Sequence, residues 1–496
     1  MFKLKLKAVF TSILFLILLS SWNNNSNYTS LDAAVKEFAD DKSLQSANWG
    51  LSVYSVETQR ELFSYNSNKS LTPASTLKAV TSSTALIMLG QEYRYETQLM
   101  HDGFINNEGT LNGNLYVIGS GDPSFGASQM HDSLSLENVL KHFLESLKSL
   151  GIKKINGSII TDTRIFDTEL ASPKWLWEDI GNYFGAGTCG LSVNENEYSV
   201  FFRSGNFVGD TVAVLYTEPE IPGMILYNAV TTAESSTGDN VYIYGVPYSN
   251  ERWLTGTIPL GATEFEVRGS MPDPAKFFSI KFLDFLNSEN IAINGDAEVV
   301  YKNSKRQLDI SELTYISSCF SPPLKDIAER TNMKSINSYA ESLLKTIGFI
   351  TSEEGSASSG IKAITDLWET KGVDMCGVKL YDGCGLATVN KITPQALAHI
   401  LAIVANEPIY DAFSNGLPVA GQSGSLKSGF TGTASENILK AKSGFLSNVR
   451  AFAGYTITQN NKLVSFSLIV NDYEGSFFTM RKKMNELMNE ITKSSL

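Results

Sequence analysis

The sequence predicts an α+β protein: an antiparallel sheet with helices on both faces, its chain interrupted by a β-rich insertion. Three observations carry that prediction. Strand and helix signals recur at the two ends of the chain, and a helix with little polar surface starts at Ser75. Between them, about 200 residues change to short strands and Gly/Asn turns, a length that suits one or two small domains.

The elements follow in order. Lys3, Lys5 and Lys7 precede an uncharged apolar run at residues 8–19, which reads as an export signal over residues 1–21. The run is short for a bilayer span. Residues 20–25 make a poor cleavage site, so a leader retained as a short anchor, with peripheral membrane association, is the alternative to release into the periplasm or cell envelope. Leu31, Ala34, Val35 and Phe38 then recur at helical spacing. Residues 49–56 and 61–65 read as a hairpin. Pro73 and Gly90 bracket the apolar helix at its start and end. Residues 93–304 form the insertion, with an amphipathic helix at 136–150; residues 277–295 fit either part. Near the C-terminus, residues 449–456 and 463–470 are β-type, the second alternating through Val464, Phe466, Leu468 and Val470. A last helix carries Phe477, Met480, Met484, Leu487, Met488 and Ile491 on one stripe. Residues 30–92 and 305–496 therefore read as one discontinuous domain.

Bulk properties exclude several functions. The net charge of −12 repels phosphate backbones, so nucleic acid is not an expected partner. The cysteines Cys189, Cys319, Cys376 and Cys384 show no C-x-x-C, and the histidines form no cluster. Neither a metal nor another cofactor is expected.

A hydrolase without a histidine motif needs another base. In Ser75-Thr76-Leu77-Lys78 the serine and lysine are one helical turn apart and share a face. A lysine whose pKa is lowered by burial can take the serine proton. The S-x-x-K pattern also occurs at Ser342…Lys345 and Ser359…Lys362. The first of these falls inside a helix predicted from about Ser335, and the second in a Ser/Gly-rich loop. Only Ser75 opens a buried helix. Ser–Lys hydrolases add S-x-N and K-[ST]-G. Ser335-Ile336-Asn337 fits the former at a predicted helix start, where an N-capping serine is the plainer reading. Lys427-Ser428-Gly429 and Lys442-Ser443-Gly444 both fit the latter. Lys442 is preferred because it ends a β-type run, whose edge can pair with an extended peptide. Lys442 and the Ser443 hydroxyl are then placed to hold a carboxylate. The N–H groups of Ser75 and Phe445 are placed to hold an oxyanion.

Pro73-Ala74-Ser75-Thr76-Leu77-Lys78, Ser335-x-Asn337 and Lys442-Ser443-Gly444 resemble the D-alanyl-D-alanine carboxypeptidase/endopeptidase family, the class C low-molecular-mass penicillin-binding proteins. So do Gly121-Asp122-Pro123, the stretch from Trp175 to Asp179 followed by Tyr183-Phe184, Asp382-Gly383-Cys384-Gly385-Leu386, and Leu417-Pro418-Val419-Ala420-Gly421. The resemblance implies a penicillin-recognising serine transpeptidase/β-lactamase-like domain with two inserted domains. It implies peptidoglycan stem peptides as substrates, β-lactams as acylating inhibitors, and a Ser75 acyl-enzyme with Lys78 as base. It also implies that Ser335 relays a proton to the leaving amine and that Asn337 orients the acyl chain. Asp179 and Phe184 would contact the amino-bearing end of the stem peptide. Two positions depart from the family pattern: Phe445 stands where threonine or serine is usual, and Cys384 where serine is usual. The Phe445 departure motivates the alternative of a penicillin-binding or wall-binding protein with little turnover.

Overall fold

The computed structural model describes residues 30–306 and 308–496. The expected leader, with its tethered alternative, lies outside the described residues. Five strands make one antiparallel sheet in the order Lys440–Leu446, Val449–Ile457, Leu463–Asn471, Asn48–Ser55, Glu61–Tyr65. The two ends of the chain thus meet at neighbouring strands, with Leu51 facing Leu468. Strand alternation then sorts the side chains. Val464, Phe466, Leu468 and Val470 pack against Leu31, Val35, Met484 and Leu487 of the two terminal helices, Ser30–Ala39 and Phe477–Lys493. Ala451, Ala453, Tyr455 and Ile469 turn the opposite way. They meet a helical layer that includes Leu77–Leu89, Asn337–Ser352 and Pro394–Val404. Helices therefore cover both faces.

The insertion runs further than residue 304. Strand Thr314–Phe320 pairs with Glu96–His101, at the edge of a five-stranded sheet that also holds Leu115–Ile118, Ile159–Asp162 and Ala297–Val300. Nothing local marks this strand as part of the insertion, because its partner lies more than 200 residues earlier in the chain. Strands Leu115–Ile118, Ile159–Asp162 and Ala297–Val300 of that sheet run parallel, bridged by helices Leu136–Ser149 and Pro274–Ser288. Residues 277–288 therefore belong to the insertion: Phe277, Phe278 and Phe282 pack with Leu115, Phe143 and Ile159. The remaining strands form three small sheets: one around Glu197–Arg203, one around Glu251–Pro259, and one of Ala292–Ile293, Lys154–Ile155, Thr110–Asn112 and Phe104–Ile105. Their apolar faces join the same core cluster. Among the described residues, no helix is long and apolar enough to cross a membrane.

Candidate active site

Ser75 lies in a tight turn, Ala74–Thr76, that runs directly into helix Leu77–Leu89. Ala74 has φ 47°, a left-handed conformation that costs a residue with a Cβ about 1–2 kcal/mol. Two glycines press on this turn. A Cβ on Gly385 would sit 2.0 Å from the Ala74 carbonyl oxygen, and one on Gly444 would sit 3.0 Å from the Ser75 nitrogen. The turn is therefore clamped between the 382–386 loop and the edge strand Lys440–Leu446.

Lys78 is completely buried one turn along the helix. Its Nζ donates to Ser75 Oγ at 3.1 Å, Asn337 Oδ1 at 2.5 Å and the Cys384 carbonyl at 2.7 Å. All three acceptors are neutral. Burial lowers its pKa, and the partial opposition comes from Cys384, Asp382 and Glu341 nearby. A lysine so placed gives up its proton more readily than a solvated one.

The S-x-N residues sit at a break between two helices, at the start of the second. Helix Leu324–Lys334 ends at Ser335, which adopts φ 60°, ψ 38°, and the next helix begins at Asn337. Ser335 is thus not an N-cap; Ile336 occupies that position without a side-chain hydrogen bond. The left-handed bend leaves Ser335 Oγ to accept from Lys442 Nζ at 2.9 Å, while Lys442 also donates to the Ser443 carbonyl at 2.8 Å. Lys442 is buried, and burial followed by repulsion from Lys78 and Arg450 holds its pKa well below the usual range. Lys427, the other candidate, is exposed. Ser359, read as part of a loop, lies in helix Ala357–Thr370, whose N-cap is Ser356.

Strand Lys440–Leu446 is hydrogen-bonded to a neighbouring strand on one side only, so it forms an edge of the sheet. The Ala441 N–H points away from that neighbour, to the Pro418 carbonyl. Backbone direction repeats every second residue, so the N–H groups of Ser443 and Phe445 also face the open edge. Phe445 N–H and Ser75 N–H consequently flank the space beside Gly444. The Ser443 hydroxyl donates to Ser425 Oγ at 2.7 Å. The Phe445 ring is half exposed and packs edge-on against Phe477 at 4.7 Å.

Phe184 reaches the site and Asp179 lies beside it. Asn337 Nδ2 donates to the Phe184 carbonyl at 2.6 Å, and Phe184 packs against the buried cluster that holds Ala340, Cys384 and Leu386. Asp179 sits on the short helix Trp177–Ile180, just before the Phe184 turn. Its carboxyl is pushed up to about 6 by burial and by Glu178. A cavity of about 910 Å³ opens from Ser335 and Asn337 and continues past Phe184, Arg268 and Arg330 into the insertion.

Several supporting groups were not legible in the sequence. The carbonyl that holds Lys78 belongs to Cys384, whose side-chain identity is irrelevant to that contact. Glu341 accepts from the N–H groups of Gly383 and Cys384, both at 2.8 Å. Asp382 accepts from the N–H groups of Gly385 and Ala387, from Asn390 Nδ2 and from Trp175 Nε1. Glu341, Asp382 and the Cys384 thiol are the one cluster of metal-ligand side chains among the described residues. Their carboxylate oxygens already bind N–H donors that fix the loop. The spacing of Glu341 one turn after Asn337 was the available signal.

A model of the D-Ala-D-Ala carboxypeptidase 3 (S13) family matches residues 31–492. The D-alanyl-D-alanine carboxypeptidase of Actinomadura sp. (strain R39) is 26% identical, over 91% of this chain and 83% of that protein. The crystal structure of penicillin binding protein 4 from Haemophilus influenzae superposes with a TM-score of 0.79 at 22% identity, over 94% of this chain and 99% of that one. The same protein complexed with a β-lactam superposes at 0.73, again at 22% identity, over 90% and 95%. The fold is thus the penicillin-recognising α+β architecture.

Proposed function

The chain belongs to the D-Ala-D-Ala carboxypeptidase 3 (S13) family, and we propose that Ser75 is the nucleophile of its serine-type hydrolysis of peptidoglycan stem peptides. Neutral Lys78 takes the proton as Ser75 Oγ attacks the carbonyl between the two D-alanines. The N–H groups of Ser75 and Phe445 bear the oxyanion. Collapse expels the amine of D-alanine, or of a cross-linked peptide, which takes a proton from the Ser335 hydroxyl with Lys442 behind it; the proton that Lys78 received then passes to Ser335 Oγ, which restores that hydroxyl and leaves Lys78 neutral. Water then attacks the Ser75 ester with Lys78 as base, releasing the shortened peptide and restoring the hydroxyl. Asn337 orients the acyl chain. Lys442 and Ser443 hold the substrate carboxylate, while Asp179 and Phe184 meet the amino-bearing end of the stem peptide, where a carboxylate suits an ammonium. β-Lactams acylate the same serine.

The observation that carries this reading is a fully buried Lys78 whose three acceptors are all neutral and include Ser75 Oγ. The reading also places the enzyme outside the cytoplasm, delivered by the leader at residues 1–21; N-terminal sequencing of the mature protein tests that. The activity itself is tested by D-alanine release from a soluble peptide ending in D-Ala-D-Ala. Release by wild type and none by Ser75→Ala is the expected result. Equal release by both proteins, or none by well-folded wild type, would overturn it.

A further inference from the structure

The insertion carries a row of aromatic rings on an exposed sheet face. Strand Glu251–Pro259 lies between Ile225–Asn228 and Asn240–Tyr244, and its register sets Tyr227 and Tyr244 on either side of Trp253. Alternation places Leu254, Val241 and Ile243 in the core and turns Tyr227, Trp253, Tyr242 and Tyr244 outward. The rings lie in neighbouring pairs with 19–33° between their planes. Tyr227 and Trp253 stack at 4.9 Å with 19° between planes, and Tyr242 and Tyr244 lie 6.3 Å apart at 30°. Trp177 extends the row beyond Tyr244, at 6.2 Å and 33°. Trp177, Trp253, Tyr227 and Tyr242 are each more than 40% exposed.

Leaving such rings in water forgoes burial worth having, and a contiguous apolar patch of this kind marks a binding surface. Flat aromatic faces with polar edges suit a ligand with an apolar C–H face and a polar rim, which is the chemistry of a sugar ring.

The strip also leads to the active site. Trp177 is two residues from Asp179 on the same short helix. Asn182 ties that helix to the strip, donating to the Glu178 carbonyl and accepting from the Ile243 N–H. The following turn holds Phe184, whose carbonyl accepts from Asn337. A polymer of sugars with peptide branches could lie along the rings while a branch enters the cleft.

We propose that Tyr227, Trp253, Tyr244 and Trp177 form a stacking platform for the glycan strand of peptidoglycan. This rests on the proposed function, because that substrate is the one that joins a glycan to a stem peptide. The platform holds the polymer and leaves the chemistry at Ser75 unaltered, so it affects capture of the polymer and not turnover of a small peptide.

The test uses the full chain and soluble, peptide-free glycan strands, with binding read by tryptophan fluorescence. Trp253→Ala and Tyr227→Ala should each weaken binding by about tenfold, with Trp253→Phe recovering much of it. Both alanine variants should raise KM on intact sacculi while acylation by a β-lactam and turnover of a soluble pentapeptide stay at wild-type rates. Absence of glycan binding by wild type, or equal binding by the alanine variants, would overturn the platform. So would a change of oligomeric state in Trp253→Ala by sedimentation, which would show a second copy on this face. If acylation and pentapeptide turnover persist while glycan binding is absent, only the platform fails; if wild type neither acylates nor turns over, the proposed function fails.

Discussion

Lys78 and Lys345 are both buried, and each follows a serine by three residues, yet their surroundings assign them opposite tasks. Lys345 is met by the Asp167 carboxylate at 2.7 Å and the Glu169 carbonyl at 2.6 Å, which ties helix Asn337–Ser352 to the insertion. Ser342 is fully buried, between Thr188 Oγ1 at 2.7 Å and the Gly121 carbonyl at 2.9 Å. That pair is a structural clamp with no room for substrate. Lys78 meets neutral acceptors only, and Ser75 is partly exposed beside an open strand edge. The acids near Lys78 turn their oxygens to backbone N–H groups of the 382–386 loop. Burial beside an anion stabilises a lysine's charge, whereas burial among dipoles weakens its hold on the proton. The same four-residue pattern is thus a clamp in one place and, in the proposed mechanism, a nucleophile with its base in the other.

The sharpest way to break this comparison is to remove each serine. Ser75→Ala should lower peptide hydrolysis by several orders of magnitude with Tm nearly unchanged. Ser342→Ala should do the reverse, costing roughly 1–3 kcal/mol of stability in a denaturant titration while leaving kcat near wild type. Exchanging those outcomes would refute the assignment. The lysines come next. Lys78→Met should slow acylation by about 10²–10⁴-fold. Lys345→Met should instead leave Asp167 without its ion pair and cost roughly 1–3 kcal/mol, discounted because Asp167 is partly exposed.

A smaller effect separates the acids. Glu341 is pushed up to about 7 by burial and by Asp382, and its ionised form favours the charged form of Lys78. Glu341→Gln keeps an acceptor for the loop N–H groups but removes that charge. Lys78 should then lose its proton at lower pH, moving the acidic limb of the acylation rate downward by about one unit or less. An unmoved or raised limb in a folded variant would contradict the sign. The smallest effect belongs to the third match. Lys362 pairs with Asp366 on an exposed helix face, so Lys362→Ala should change stability by less than about 0.5 kcal/mol and leave activity intact.

Much of the fold was legible because it rests on periodicity. The alternation from Val464 to Val470 marked the core face of a central strand, and Met480, Met484 and Leu487 marked a helix packed on it. Pro73 and Gly90 bracketed the helix behind Ser75, where Gly90 caps at φ 87°. What stayed hidden depends on distant partners or on backbone atoms. Strand Thr314–Phe320 acquires its place only from Glu96–His101. The break at Ser335 carries no glycine or proline to announce it, since the left-handed residue is the serine itself. The Cys384 carbonyl on Lys78 has no sequence signature, because any residue would supply it. Motif order singled out Ser75 and Lys78; the neutral, buried packing around Lys78 had to be seen.

The most direct test of the account is the intact mass of the protein after incubation with a penicillin, followed by peptide mapping of the adduct. The account predicts a single adduct on the peptide containing Ser75, absent in Ser75→Ala and retained in Ser342→Ala. An adduct that maps elsewhere, or that survives Ser75→Ala, would contradict it.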